Sequence, residues 1–127
     1  MTFKLSQRSL DRLRGVHPDL VKVVQKAIEL STIDFMVVEG LRTRDRQAEL
    51  LKAGASQTMN SRHLTGHAVD LAPIVGGQLR WDFPLFDPIG KAMKEAAAFY
   101  SVKIIWGGDW KRFIDKPHFE LDRKLYA

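Results

Sequence analysis

The sequence contains no cysteine at any of its 127 positions. This absence excludes disulfides, thiolate metal sites and cysteine nucleophiles, so any metal must be bound by His, Asp or Glu side chains. Long hydrophobic runs are missing as well. No stretch has the uninterrupted apolar segment that a signal peptide or a membrane span needs. We therefore expect a protein without a signal peptide that starts in the cytoplasm and does not insert stably into a membrane.

A strong excess of one charge is also lacking. Twenty Lys and Arg residues against 15 Asp and Glu residues give a net charge of +5, a modest bias towards polyanions such as nucleic acid, anionic lipid or a bacterial wall. The basic residues are scattered, and a mixed solvated surface accounts for most of them. We expect no nucleic-acid partner. With 45% hydrophobic residues, one domain, residues 1–127, can bury its own core.

Helical and extended patterns alternate along the chain. Apolar residues recur at helical spacing after Pro18, and Asp87-Pro88 opens a second long helix with proline in its first turn. Apolar residues alternate with others at residues 68–72 and again at residues 118–122, which is typical of strands with one buried face. This mixture predicts an α+β fold, in which helices pack on one face of a small, mostly antiparallel sheet.

Three candidate metal ligands, His63, Asp70 and His118, lie in two distant segments. If Val69 and Leu71 face the core, Asp70 faces the other side of its strand, and the same alternation turns His118 away from the core. Two nitrogens and one oxygen leave a fourth tetrahedral position for water, which is the arrangement of a catalytic zinc. The sequence therefore predicts a zinc site on the face of the sheet opposite the helices.

A carboxylate stands next to the last of these ligands. Asp115 precedes His118 by three residues, and it could take a proton from a water molecule at the metal. Asp109 is a competing base, but it lies further from His118. His67 has the i, i+4 spacing of a helical zinc pair with His63, yet Gly66 argues against a helix there. We expect His67 to contact a ligand or the substrate.

These residues resemble the signature of a known family. The pattern Ser61-x-His63-x-x-Gly66-x-Ala68-x-Asp70, followed by Asp115-x-x-His118, is similar to that of the LAS-type, VanY-like zinc peptidases. That family includes D-Ala-D-Ala carboxypeptidases, VanX-like dipeptidases and phage L-alanyl-D-glutamate endopeptidases. The small size, the missing signal peptide and the segment Glu39-Gly-Leu-Arg-Thr43 resemble the phage endolysins most. The resemblance covers the whole chain as one catalytic domain, with no separate wall-binding domain.

The resemblance implies roles for individual residues. His63, Asp70 and His118 would bind zinc, and Asp115 would be the general base. Arg42 would stabilise the oxyanion or bind a substrate carboxylate, because a guanidinium offers a planar fork of donors; the alternative is a surface charge at a helix start. Ser61 would contact the substrate, unless it only satisfies its own backbone.

The function that this resemblance implies is a zinc metallopeptidase of the endolysin type. It would act as a monomer and hydrolyse the L-alanyl-D-glutamate bond of peptidoglycan stem peptides, after release from the host cytoplasm, for host cell lysis. Two alternatives remain open. One is a D-Ala-D-Ala carboxypeptidase or dipeptidase, against which the missing signal peptide argues. The other is a non-catalytic zinc-containing wall-binding domain, which would not need Asp115.

Overall fold

The helices and strands alternate broadly as the sequence pattern predicts. The computed structural model describes residues 2–56 and 58–127. Its α-helices are α1 (Gln7–Arg12), α2 (Pro18–Leu30), α3 (Arg44–Lys52) and α4 (Asp87–Phe99). Its strands are β1 (Asp34–Glu39), β2 (Ala68–Val75), β3 (Gln78–Leu79), β4 (Ile104–Trp106) and β5 (His118–Leu121). Short 3₁₀ turns occupy Arg62–Thr65, Phe83–Phe86 and Gly107–Asp109.

The hydrophobic core lies between the sheet and the two long helices. Both α2 and α4 have proline in the first turn, where a missing N–H costs no helical hydrogen bond. Their apolar faces join the inward side chains of the sheet in one buried cluster, which includes Leu20, Val24, Phe35, Val69, Leu71, Ile89, Met93 and Phe119. Trp106 stacks on Phe119 with ring centroids 5.9 Å apart and closes the cluster at the end of β4.

The strands form one antiparallel sheet in the order β1-β2-β5-β4, and β3 also pairs with β2. Glu39 of β1 lies opposite Asp70 of β2, and Asp70 in turn lies opposite His118 of β5. Directly opposed residues project from the same face of a sheet. The register therefore aligns three polar side chains in one row across three strands. The adjacent row, with Val69 opposite Phe119, faces the core.

The prediction of an α+β fold with a small antiparallel sheet is confirmed. One helix departs from the simple picture of helices on a single face. The buried residue of α3 is Gln47, whose side chain bonds to Arg42 and to the loop after α3, so this helix borders the polar face of the sheet. Among the helices that the structure describes, none combines the length and the apolar character needed to cross a membrane.

Candidate metal centre and active site

His63, Asp70 and His118 converge at the polar face of the sheet. One ligand atom from each side chain lies within 4.8 Å of the other two. His63 Nε2 is 3.1 Å from Asp70 Oδ1, and His118 Nδ1 is 3.4 Å from the same oxygen. Asp70 and His118 meet because β2 and β5 pair them directly, whereas His63 comes from the 3₁₀ turn ahead of β2. The two sequence segments thus contribute to one cluster.

The electrostatics of the cluster keep its carboxylate ionised. Burial alone would raise the pKa of Asp70, but hydrogen bonds to His118 and His63 outweigh it and lower that pKa below its ordinary value. Burial would lower the pKa of His118, and hydrogen bonds to Asp70 and Glu120 instead raise it to about 9. A carboxylate held ionised between two imidazoles is a donor set that suits a divalent metal.

The ring of each histidine is fixed by a second partner. His63 Nδ1 is 2.8 Å from the carbonyl oxygen of Gly40 and can donate to it, which leaves Nε2 for the cluster. A side chain on Gly40 would collide with the carbonyl oxygen of Arg12. His118 Nε2 is 2.9 Å from Glu120 Oε1, which leaves Nδ1 for the cluster. The two histidines therefore present different nitrogens to the same point.

Arg42 lies at the bottom of the pocket beside the cluster. Its side chain is only 8% exposed and donates from Nε and Nη2 to the two oxygens of Glu39, at 2.6 and 2.9 Å. Nη2 also lies 3.6 Å from Asp70 Oδ2. The two hydrogen bonds to Glu39 compensate the buried charge of this guanidinium and fix its plane. The structure thus brings Arg42 next to the carboxylate of the cluster.

Gln47 extends this polar network to the pocket wall. Its Oε1 accepts from Arg42 Nη1 at 2.7 Å, and its Nε2 donates to Ser56 Oγ and to the carbonyl oxygen of Thr58. The side chain is completely buried, and every polar atom has a partner, as buried polar groups require. Gln47 was not predicted to be a site residue, because a single glutamine in a polar helix carries no periodic signal.

Asp115 lines the same pocket from the loop ahead of β5. Its backbone is fixed at both ends, because its N–H donates to Gly107 O at 3.0 Å and its carbonyl accepts from the N–H of His118 at 3.1 Å. The loop passes so close to Gly107 that a Cβ there would collide with the Asp115 carbonyl oxygen. Partial burial, followed by the charge of Asp70, raises the pKa of Asp115 above its ordinary value. A carboxyl with a raised pKa is a better proton acceptor.

The pocket is an open cavity of about 690 Å³ that contains the cluster, Arg42, Ser61 and Asp115. Ser61 accepts the N–H of His63 at 3.2 Å and so caps the 3₁₀ turn that carries the ligand. Arg112, Phe113 and Ile114 line the outer part of the cavity. All the residues selected from the sequence for catalysis, metal binding and substrate binding therefore border one cavity.

Two other residues considered from the sequence, Asp109 and His67, make contacts outside the cluster. Asp109 pairs with Lys94 at 2.8 Å and is not among the residues that line the cavity. His67 Nδ1 is 2.7 Å from Thr65 Oγ1, and its ring lies 5.6 Å from that of His17. Neither Thr65 nor His17 lines the cavity, and the expectation that His67 contacts a metal ligand or the substrate stays a prediction. Trp110, which the sequence analysis did not select, lines the cavity with its ring 5.3 Å from that of His118.

This chain is similar to L-alanyl-D-glutamate peptidases in both sequence and structure. The family model described as phage L-alanyl-D-glutamate peptidase matches residues 1–126. The L-alanyl-D-glutamate peptidase of Escherichia phage T5 is 36% identical over 130 residues, which cover 99% of this chain and 94% of the phage protein. The crystal structure of Serratia marcescens L-Ala D-Glu endopeptidase ChiX is 44% identical with a TM-score of 0.93, and the match covers 98% of this chain and 94% of ChiX.

A more distant structure shares the fold alone. The vancomycin-resistance D,D-dipeptidase VanXYg, solved with a D-Ala-D-Ala phosphinate analogue, is 21% identical with a TM-score of 0.55. That match covers 84% of this chain and 50% of VanXYg. At this identity the likeness extends to the fold, and function has to be argued from the site.

Proposed function

The chain belongs to the phage L-alanyl-D-glutamate peptidase family, and we propose that it uses zinc to hydrolyse the L-alanyl-D-glutamate bond of peptidoglycan stem peptides. We further propose that residues 1–127 act as one catalytic unit and as a monomer, on the wall after release from the host cytoplasm. The fold of this chain is that of the family, and the family's enzyme class and peptidoglycan substrate support the proposal.

One observation carries the proposal. A cluster of two imidazoles and one carboxylate shares a cavity with a further carboxylate, Asp115, whose pKa is raised. A domain that only binds the wall needs no second acid beside a metal. A hydrolase needs this acid, because a water molecule must lose a proton as it attacks and the leaving amine must gain one.

Zinc is the metal that this donor set suits best. His63 Nε2, His118 Nδ1 and Asp70 Oδ1 would supply two nitrogens and one oxygen, a three-ligand set that leaves an open position, as in catalytic zinc sites. A zinc ion would act as a Lewis acid on the scissile carbonyl and would lower the pKa of a water molecule towards about 7.

The protein's own groups would then handle the proton and the substrate. Asp115 accepts the proton of the attacking water and transfers it to the nitrogen of the departing D-glutamate. Arg42, fixed by Glu39 and Gln47, directs its guanidinium at the developing negative charge. Ser61 offers its hydroxyl proton to the substrate while its oxygen caps the turn of His63. The pairing of Arg42 with Glu39 favours the oxyanion role over binding a free carboxylate, since most of its donors are occupied.

The products of digestion test the proposal directly. The purified protein is incubated with zinc and intact peptidoglycan, and the fragments are analysed by mass spectrometry. We expect stem peptides with a new N-terminal D-glutamate. Loss of a terminal D-alanine alone would instead identify a D-Ala-D-Ala carboxypeptidase or dipeptidase, and binding to walls without any new fragment would identify a non-catalytic domain.

A further inference from the structure

Glu120 is a buried carboxylate that the mechanism above does not use. It follows His118 by two residues on the same face of β5, and its side chain is only 5% exposed. A buried carboxylate is costly unless its charge is compensated by close partners. Its position at the polar face of the sheet, among the residues that line the cavity, therefore calls for an explanation beyond packing.

Both oxygens of Glu120 have partners with distinct positions. Oε1 lies 2.9 Å from His118 Nε2, and Oε2 accepts from Arg123 Nε at 3.2 Å. The other ring nitrogen of His118, Nδ1, lies 3.4 Å from Asp70 Oδ1. The imidazole of His118 thus stands between two carboxylates. One belongs to the ligand cluster and the other lies outside it.

This arrangement controls which nitrogen of His118 is available. When Nε2 carries its proton and donates to Glu120, the lone pair lies on Nδ1 and points at the cluster. His63 has an equivalent restraint from the carbonyl oxygen of Gly40, but that partner is neutral. A carboxylate partner makes the imidazole more electron-rich and orients its ring more strongly than a carbonyl does.

We propose that Glu120 is a positioning residue for the metal centre: it holds His118 in the tautomer that binds zinc through Nδ1, and Arg123 orients its carboxylate. The inference rests on the zinc site of the proposed function. Glu120 acts through His118 and does not touch the substrate. Arg123 contributes less, because its side chain is 62% exposed and water can replace it.

The test measures zinc affinity rather than hydrolysis. The full chain, stripped of metal, is titrated with zinc against a chromophoric chelator for the parent, Glu120→Ala, Glu120→Gln and Arg123→Ala. We expect zinc affinity to fall by about 10- to 100-fold in Glu120→Ala. Glu120→Gln should fall between the parent and Glu120→Ala, because an amide oxygen still accepts from Nε2 without the charge. Arg123→Ala should lose less than about threefold.

Glu49→Gln is the matched control. It removes one glutamate charge from an exposed site on α3, where Glu49 pairs with Arg46 away from the cluster, and its zinc affinity should stay within about twofold of the parent. The unfolding midpoint of metal-free Glu120→Gln is measured in parallel, under conditions in which the variant is folded during the zinc titration. A change in stability alone would lower this midpoint and leave the zinc affinity of the folded variant unchanged.

The outcomes separate the inference from the function on which it rests. If the parent binds zinc and both Glu120 variants bind it equally well, the positioning role is wrong while the zinc site stands. If Glu120→Ala does not fold, Glu120→Gln decides alone, and parent-like affinity in that variant overturns the inference. If the parent itself binds no zinc, the proposed function fails first and the inference falls with it.

Discussion

The pocket floor and the pocket rim are built in opposite ways. The floor comprises Glu39, Arg42, His63, Asp70, His118 and Glu120, which lie on or beside paired strands and bond to one another. The rim comprises residues 110–114, where Phe113 is 73% exposed and Ile114 51% exposed. Phe113 also has a φ of 52°, a left-handed conformation that costs an L-residue about 1 kcal/mol.

This difference separates two tasks. The floor is fixed by strand register and by hydrogen bonds among its own side chains, so it can hold a metal with little reorganisation. The rim has little burial to stabilise it, and its exposed apolar side chains line the cavity. We expect the floor to determine the chemistry and the rim to determine which part of the wall is held. Changes in the floor should therefore abolish hydrolysis, whereas changes in the rim should weaken substrate binding.

The largest effect is expected from removing a floor ligand. His63→Ala should lose zinc and reduce hydrolysis of purified walls by more than about 1,000-fold, because the site loses both a donor and the metal. Zinc content by atomic emission and turbidity loss of wall suspensions measure the two effects. His67→Ala is the control, since His67 contacts Thr65 outside the cavity, and it should match the parent. Retention of zinc by His63→Ala would contradict the ligand assignment.

Asp115 follows the rim residues in sequence and lines the cavity beside the floor. Its substitution should reduce turnover without reducing metal binding. Asp115→Asn should reduce kcat by about 10²- to 10⁴-fold, the range typical of a general base, with zinc affinity within about twofold of the parent. Asp109→Asn is matched in chemistry but pairs with Lys94 at the surface, so its kcat should be unchanged. Parent-like turnover in Asp115→Asn would show that another group takes the proton.

A substitution at Gly107 should have an intermediate effect on kcat, because it would displace Asp115 by contact and leave its carboxylate in place as a chemical group. In Gly107→Ala the new Cβ collides with the Asp115 carbonyl oxygen and approaches the Asp115 Cβ at 3.1 Å. A displaced base should lower kcat by about 10-fold, with unchanged zinc content. Steady-state kinetics on a soluble muropeptide give the value. An unchanged kcat would mean that the loop can move without affecting the base.

The smallest effect is expected at the rim. Phe113→Ala and Phe113→Gly both remove the ring, and both should raise KM for walls several-fold without lowering kcat. Only glycine relieves the positive φ, so Phe113→Gly should be more stable than Phe113→Ala by about 1 kcal/mol in urea unfolding. Equal KM values for both variants and the parent would show that the ring of Phe113 does not contribute to binding the wall, and would contradict the role assigned to the rim.

The fold was predictable because its signals are local. Proline in the first turn of α2 and α4 and the alternation in β2 and β5 all occur in the structure. The site was predictable in part, since the same alternation turned Asp70 and His118 to one face. Glu39 and Gln47 were not identified as partners of Arg42. Their contacts depend on how the loop between β1 and α3 folds, and that segment has no regular sequence pattern.

The sequence by itself determined the kind of chemistry available: without cysteine, a metal site has only His, Asp and Glu for ligands, and the strand alternation gives Asp70 and His118 a common face. Only the tertiary structure decided how these groups meet. The register of β1, β2 and β5 aligns Glu39, Asp70 and His118, and a shift of one residue would turn each of them towards the core. Pairing across strands depends on contacts between distant segments, which local patterns do not encode.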